Sequence, residues 1–315
     1  MKKIELSTIV SSIALSGKRL DQVLTHLFKQ YSRSYLKQLI LKNKVFVDKN
    51  IINQPDKKIF GGEIISIYPD SKELFLHLAE NISLNIIYED CDIIIINKPA
   101  GLVVHPGAGN HKGTILNALL YRYQNIQHLP RAGIVHRLDK DTSGLMVIAK
   151  NLISYNYLLK LLKKRKITRK YQGIVKGNMI SGGTINAPII RHNVKRTCMM
   201  VHSLGKKSIT HYKIINRFRF HTHITIRLET GRTHQIRVHM LHIRHPLVGD
   251  PIYGGMNQKI DNIKNKNINK IVQFPRQALH ATHISFHHPI TKNLMSWSVP
   301  LPEDIKELLT YITNI

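Results

Sequence analysis

The nonapeptide His136-Arg137-Leu138-Asp139-Lys140-Asp141-Thr142-Ser143-Gly144 sets two carboxylates among three bases. It lies between the apolar pair Ile134-Val135 and the run Leu145-Met146-Val147-Ile148-Ala149. Charged groups held beside a core need partners, and such places are where acid–base and electrostatic chemistry is usually done. Asp141, Thr142 and Gly144 fit a turn between two strands, with Asp141 or Ser143 bonding local backbone and Gly144 supplying an unusual dihedral. A turn does not account for Asp139 among His136, Arg137 and Lys140. Asp139 is the first candidate for chemistry.

Two other segments could complete such a site. In Glu229-Thr230-Gly231-Arg232-Thr233-His234-Gln235-Ile236-Arg237-Val238-His239, Thr233 is a candidate N-cap for a helix carrying His234, Arg237 and His239. The spacing of Thr233, Ile236, Arg237 and Met240 places Arg237 beside an inward-facing stripe. A buried guanidinium needs an anion, since an unpaired one costs several kcal/mol, and Asp139 is the natural partner. In Thr168-Arg169-Lys170-Tyr171-Gln172-Gly173, a strand puts Tyr171 and Gly173 on one face. Tyr171 is then either a core tyrosine or a cleft residue that Arg169 accompanies. A third segment, Asn97 to Gly107, combines Pro99 and Gly101 in a sharp strand exit with Lys98 at the strand end.

Metal and nucleotide chemistry are poorly served. His239, His242 and His245 recur every third residue but lack an acidic or cysteine fourth ligand, so no metal is expected and RNA-facing or solvated histidines fit better. Gly107-Ala108-Gly109 lacks the third glycine and later acid of a dinucleotide loop, so no cofactor is expected.

The formal net charge is +28, from 47 Lys and Arg against 19 Asp and Glu in 315 residues. Such an excess repels itself and is best tolerated against a polyanion, with nucleic acid ahead of an anionic membrane. No basic amphipathic helix or long apolar run supports a membrane partner. Two cysteines, Cys91 and Cys198, make neither a disulfide framework nor a four-thiolate zinc site, and Cys91 is expected to be a buried, inert thiol. Glu5, Ser7, Ser11 and Ser12 break any signal-peptide core, so a cytoplasmic location is expected.

The elements that must position these residues fall into two groups. Leu20, Val23, Leu24, Leu27 and Phe28 form one helical face, and Leu36, Leu39 and Ile40 begin a second helix after Tyr31-Ser32-Arg33-Ser34. Val45 to Ile52 predicts a hairpin, and Ile64 to Ile67 another strand. We expect a first domain over residues 1–75 with its core at 17–68, a linker over 69–83 and a second domain over 84–315. The second shows short β-like runs at Gly133–Val135, Leu145–Ala149, Tyr171–Val175, Ile209–Ile214, Ile224–Leu228 and Ile284–Phe286. Helical stretches intervene at Ile115–Tyr123 and Ser154–Lys163, which predicts an α+β class with a largely antiparallel sheet. Gln258–Lys270, rich in Lys and Asn, reads as a mobile surface insertion.

His-Arg-Leu-Asp-Lys-Asp-Thr-Ser-Gly-Leu resembles, without interruption, the catalytic motif of the RluA family of RNA pseudouridine synthases. The resemblance covers nearly the whole chain and is greatest to large-subunit ribosomal RNA members with an N-terminal S4 domain. It implies a pseudouridine synthase fold preceded by a small S4-like α/β RNA-binding domain. Asp139 would be the catalytic residue, Arg237 its ion-pair partner, and Tyr171 the residue over the base and proposed proton acceptor. The segment around Lys98 would pack beneath the site. Isomerising uridine breaks the N1–C1′ bond, rotates uracil and rejoins it through C5, so no redox change occurs and no group is imported. Attack at C1′, attack at C6 and assisted loss of the base all remain open for Asp139. Arg137 or His136 could fill the hole an everted base leaves, or Arg137 could bind phosphate. Lys18, Arg19, Arg33, Lys37 and Lys42 surround the first two helices and are expected to contact RNA. The expected partner is large-subunit ribosomal RNA or an assembling large subunit, with no membrane and no protein partner. Transfer RNA as substrate, or a non-catalytic ribosome-assembly role, are the alternatives.

Overall fold

Hydrophobic periodicity divides between two sets of elements, and so does the computed structural model, into Met1–Leu78 and Ala79–Ile315. It describes residues 6–9, 15–28, 31, 33–68, 79–107, 109–254 and 266–315. Most of the expected linker and residues 258–265 of the expected insertion lie outside these.

In the first unit, strands β1 (Leu6–Ile9) and β2 (Lys18–Arg19) precede helices α1 (Leu20–Leu27) and α2 (Arg33–Leu41). Strands β3 (Val45–Val47), β4 (Asn50–Ile51), β5 (Lys58–Ile59) and β6 (Ile64–Ile67) follow. The order β1-β6-β3-β4 is antiparallel throughout, and β2 pairs separately with β5. Leu20, Val23 and Leu24 of α1 meet Leu36, Leu39 and Ile40 of α2 over Val45, Val47, Ile65 and Ile67, as the apolar spacing requires. Asp21 is buried at the start of α1, where Arg33 (2.6 Å) and Arg19 (3.1 Å) neutralise it.

The second unit is built on one large sheet. Its strands are β7 (Ile86–Glu89), β8 (Ile93–Lys98), β9 (Ser143–Ala149), β10 (Thr168–Lys176), β11 (Gly183–Asn186), β14 (Ile209–Arg217), β15 (His221–Leu228), β16 (Leu279–His287) and β17 (Leu294–Ser298). A small hairpin, β12 (Ile189–Arg191) with β13 (Met199–Val201), stands apart. The order is β11-β14-β15-β10-β16-β9-β8-β7, with β17 also on β16. All pairings are antiparallel except β9 with β16. The helices are α3 (Ile115–Arg122), α4 (Leu152–Lys163), α5 (Gln235–His242), α6 (Lys266–Val272) and α7 (Glu303–Thr313).

β9 is buried along its whole length and β8 almost so, because both sheet faces are covered. Ile94, Ile96, Met146 and Ile148 pack under α3, while Ile93, Ile95, Leu145 and Val147 pack with Leu158 and Leu161 of α4. Double burial explains why these strands read as continuous apolar runs rather than as alternation.

Three sequence expectations change. Gly133–Val135 is not a strand, since the chain turns tightly through Arg131 and Ala132 in the left-handed region and Ile134 makes only an isolated bridge to Ile148. Cys91 is exposed, because it lies in the turn between β7 and β8 rather than in either strand. Lys266 to Lys270 belong to α6, which packs against α7 through the buried Ile271.

The parallel pairing of β9 with β16 matters for the site, since it places Gly144 directly against Ala281. A Cβ on Gly144 would stand 2.3 Å from the Ala281 carbonyl oxygen, and its φ is +115°. Gly144→Ala should therefore cost about 2 kcal/mol or more of stability, read by denaturant unfolding. An unchanged midpoint would mean that the two strands can separate at no cost.

Candidate active site

Three separate elements bring charge to one place. Asp139 sits in the loop entering β9, Tyr171 projects from β10, and Arg237 lies on the first turn of α5. The Asp139 loop is pinned from several directions. The Asp139 carbonyl accepts from Thr142 N–H at 3.1 Å, and Arg276 donates to the Asp141 carbonyl at 3.1 Å. Gln277 donates to the Thr142 hydroxyl at 3.0 Å, and the Ser143 hydroxyl pairs with His280 at 2.8 Å.

Lys98 explains the Asn97–Gly107 segment. Its side chain is sealed, and its ammonium donates to the carbonyls of Pro99 (2.7 Å), Leu102 (2.8 Å) and Lys140 (2.7 Å). The turn after β8 is thereby tied to the residue following Asp139. Burial lowers the Lys98 pKa to about 7, against the opposing pull of Asp141 and Asp139.

The central contact is a guanidinium shared by two acids. Arg237 Nη1 donates to Asp139 Oδ2 at 3.1 Å, while Nε and Nη2 donate to Asp250 at 2.7 and 2.8 Å. Burial raises the Asp250 pKa, but the Arg237 hydrogen bonds and charge and the N–H groups of Tyr253 and Ile252 hold it below the carboxylate range. Arg237 is correspondingly raised: burial works against its charge, but Asp250 and then Asp139 outweigh that. Asp250 is completely buried, whereas the Asp139 side chain keeps 17% exposure. The buried acid anchors the arginine, and the reachable one is left for a ligand.

His234 stands on the other side of Asp139, with Nε2 3.9 Å from Oδ1, too far for a hydrogen bond. Its Nδ1 meets the Tyr253 hydroxyl at 2.8 Å. That hydroxyl also accepts from Met199 N–H at 2.7 Å. One Asp139 oxygen is thus bonded to Arg237, and the other lies 3.9 Å from the His234 imidazole, whose pKa burial lowers.

The expected residues separate clearly. Asp139 and Arg237 meet directly. Tyr171 is 5% exposed in the main core cluster; burial raises its pKa, and the charges of Arg169 and Asp139 both reach its hydroxyl. Arg137 is exposed beside Asp139. The His136 ring is engaged by the sheet, its Nε2 accepting the Val147 N–H of β9 at 3.1 Å. Lys18, Arg19, Arg33, Lys37 and Lys42 are exposed on the first unit, although Arg19 and Arg33 also serve Asp21. Thr233 is not the N-cap of α5; His234 is, in the left-handed region at φ 54°, and the Gln235 side chain secures the preceding loop by accepting from Thr230 and Arg232. His239 is neither solvated nor RNA-facing, for it is sealed between the Thr210 hydroxyl and the Ala187 carbonyl, both at 2.9 Å.

Sequence reasoning missed Asp250. A guanidinium has five donors and one carboxylate accepts few of them, so a second acid near an inward-facing arginine could have been sought.

The fold thus sets a partly exposed carboxylate against a guanidinium that a buried carboxylate also holds. The description "RNA pseudouridylate synthase" belongs to the family model that matches residues 92–242, and an S4 domain model matches 18–65. "Ribosomal large subunit pseudouridine synthase D" of Buchnera aphidicola subsp. Acyrthosiphon pisum is 69% identical over 99% of this chain and 100% of its own length. The protein of that name in Escherichia coli strain K12 is 50% identical over 98% of this chain and 94% of its own. Human RNA pseudouridylate synthase domain containing 4 shares the fold at a TM-score of 0.57 and 23% identity, covering 72% of this chain and 92% of that one. The chain belongs to the RNA pseudouridine synthase family.

Two predictions follow from this geometry. Asp250→Ala should destabilise the protein by about 3–5 kcal/mol in denaturant unfolding, because a buried guanidinium then loses its main partner. The second concerns His136, which burial and then the charge of Arg169 lower from 6.5 to about 3. The unfolded chain takes up this proton near pH 6.5 and the folded one only near 3, so stability is lost as pH falls through that window. His136→Gln, which keeps an acceptor for Val147, should therefore lose less stability than the wild type between pH 7 and pH 5. Equal losses would contradict a neutral His136.

Proposed function

We propose that this enzyme converts specific uridines of large-subunit ribosomal RNA to pseudouridine, with Asp139 as its catalytic carboxylate. One observation carries the assignment: Asp139 combines a buried guanidinium at 3.1 Å on one oxygen with a side chain that keeps 17% exposure. The names of the 69% and 50% identical relatives support large-subunit ribosomal RNA as the substrate.

The reaction needs a carboxylate that stays ionised while the glycosidic bond breaks, held where the ribose or the base can reach it. Arg237 supplies a fixed countercharge that need not reorganise during the reaction, because Asp250 holds its other edge. Tyr171 offers a ring against which the detached uracil can turn and an oxygen for the C5 proton. Burial raises the pKa of that hydroxyl, so it keeps its own proton at neutral pH and takes the C5 proton only as its own is passed on to solvent.

A target base in a folded RNA must leave its stack, at a cost of a few kcal/mol. Arg137, exposed beside Asp139, is placed either to fill the vacated space or to hold a phosphate. The S4-like unit adds Lys18, Lys37 and Lys42 at its surface, with Arg19 and Arg33 half-available around Asp21. A chain of net charge +28 should release many counterions from RNA on binding.

Asp139→Asn keeps size and shape but removes the charge. Pseudouridine formation on ribosomal and transfer RNA, mapped with purified protein, should fall by on the order of 10³-fold or more. RNA affinity should stay within about twofold, since Asp139 contributes no attraction to phosphate. Retained turnover would remove Asp139 from the chemistry, and conversion of transfer RNA alone would remove the ribosomal assignment. Arg137→Ala should weaken either affinity or turnover; no change in both would exclude both of its roles.

A further inference from the structure

Among the described residues the second unit buries three arginines: Arg169, Arg237 and Arg276. Arg237 holds Asp250 and Asp139, and Arg276 holds Asp304 at 2.6 and 2.9 Å. Arg169 differs. It is 9% exposed, its Nε is sealed from solvent without a hydrogen bond, and no described carboxylate lies within ion-pair distance. A buried guanidinium without an anion is unfavourable, and a ligand that supplies the missing charge relieves that cost.

Its surroundings say where that ligand must sit. Arg169 and Tyr171 alternate with Lys170 along β10 and share a sheet face. Both Arg169 and Asp139 lie near enough to Tyr171 for their opposite charges to act on its hydroxyl, the arginine lowering its pKa and the aspartate raising it. A terminal nitrogen of Arg169 lies 2.9 Å from where a Cβ on Gly231 would stand. The end of the guanidinium therefore lies close against the loop leading into α5, which carries His234 and Arg237.

We propose that Arg169 binds a phosphodiester oxygen of the RNA next to the target uridine, on the Tyr171 side of the site. The inference rests on an RNA substrate and on Asp139 being the reactive carboxylate. A planar fork with its donors directed at one small region suits an anionic oxygen pair, and phosphate is the anion RNA carries at every nucleotide. Holding the backbone there fixes the ribose relative to Asp139 while the base is free to turn.

The test is Arg169→Met, which keeps the length of the side chain and removes the charge. If Arg169 were structural, its loss would lower the unfolding midpoint. If it is a ligand site, the midpoint holds or rises while RNA binding weakens. Affinity is measured in the Asp139→Asn background, so that no product forms, for a ribosomal RNA stem-loop that the wild-type enzyme modifies. We expect a loss of about 10- to 100-fold and a salt dependence shallower by about one counterion. The same stem-loop carrying a neutral methylphosphonate on either side of the uridine locates the contact. One of the two should bind the Arg169-containing protein more weakly yet bind the Arg169→Met protein as well as the unmodified RNA does. A lowered midpoint with unchanged affinity would overturn the proposal, and so would a neutral-linkage penalty that persists in the variant. If the wild-type enzyme formed pseudouridine in no ribosomal RNA stem-loop, the assigned activity would fall, whereas a modified stem-loop bound equally well by the Arg169→Met protein would sink the phosphate contact alone.

Discussion

The site depends on how one guanidinium is divided between two carboxylates. Arg237 gives two donors to the sealed Asp250 and one to the reachable Asp139. A simple Arg–Asp pair would leave the arginine free to follow its partner or the substrate. With Asp250 fixed by backbone N–H groups of Ile252 and Tyr253, the guanidinium plane is set before any ligand arrives. Burial raises the cost of misplacing any member, which is how a low-dielectric site turns charge into geometry.

The remaining scaffold holds Asp139 against that fixed plane. The parallel contact of β9 with β16 sets the loop's end, through Gly144 against Ala281. Lys98 sets its beginning by collecting three carbonyls, one of them that of Lys140. Arg276 and Gln277 close the gap between those points. None of these side chains bonds the Asp139 carboxylate, yet each limits where the loop can carry it. The segment around Lys98 is thus a support for the loop, in keeping with its expected place beneath the site.

Much of this was legible in the sequence because the physics was local. The helices of the first unit followed from i, i+3, i+4 spacing, and the ion pair of Arg237 with Asp139 followed from the cost of a buried unpaired charge. The errors came where the decisive partner is distant or has no sequence signal of its own. Asp250 lies beyond α5, and nothing in its neighbours marks it as fully buried. His136 looked available beside Asp139, but its ring is taken by a backbone N–H of β9. Thr233 has the right side chain to cap α5, yet the cap falls on His234 because Gln235 already satisfies the preceding loop. His239 looked like a surface histidine until β14 and the Ala187 carbonyl closed around it.

The most direct test of the shared guanidinium is Arg237→Lys, which keeps the charge but cannot span two carboxylates. Single-turnover conversion of a bound RNA should slow by on the order of 100-fold or more while RNA affinity stays the same. A lysine enzyme as fast as the wild type would show that charge alone suffices, and that the fixed plane held by Asp250 has no part in the chemistry.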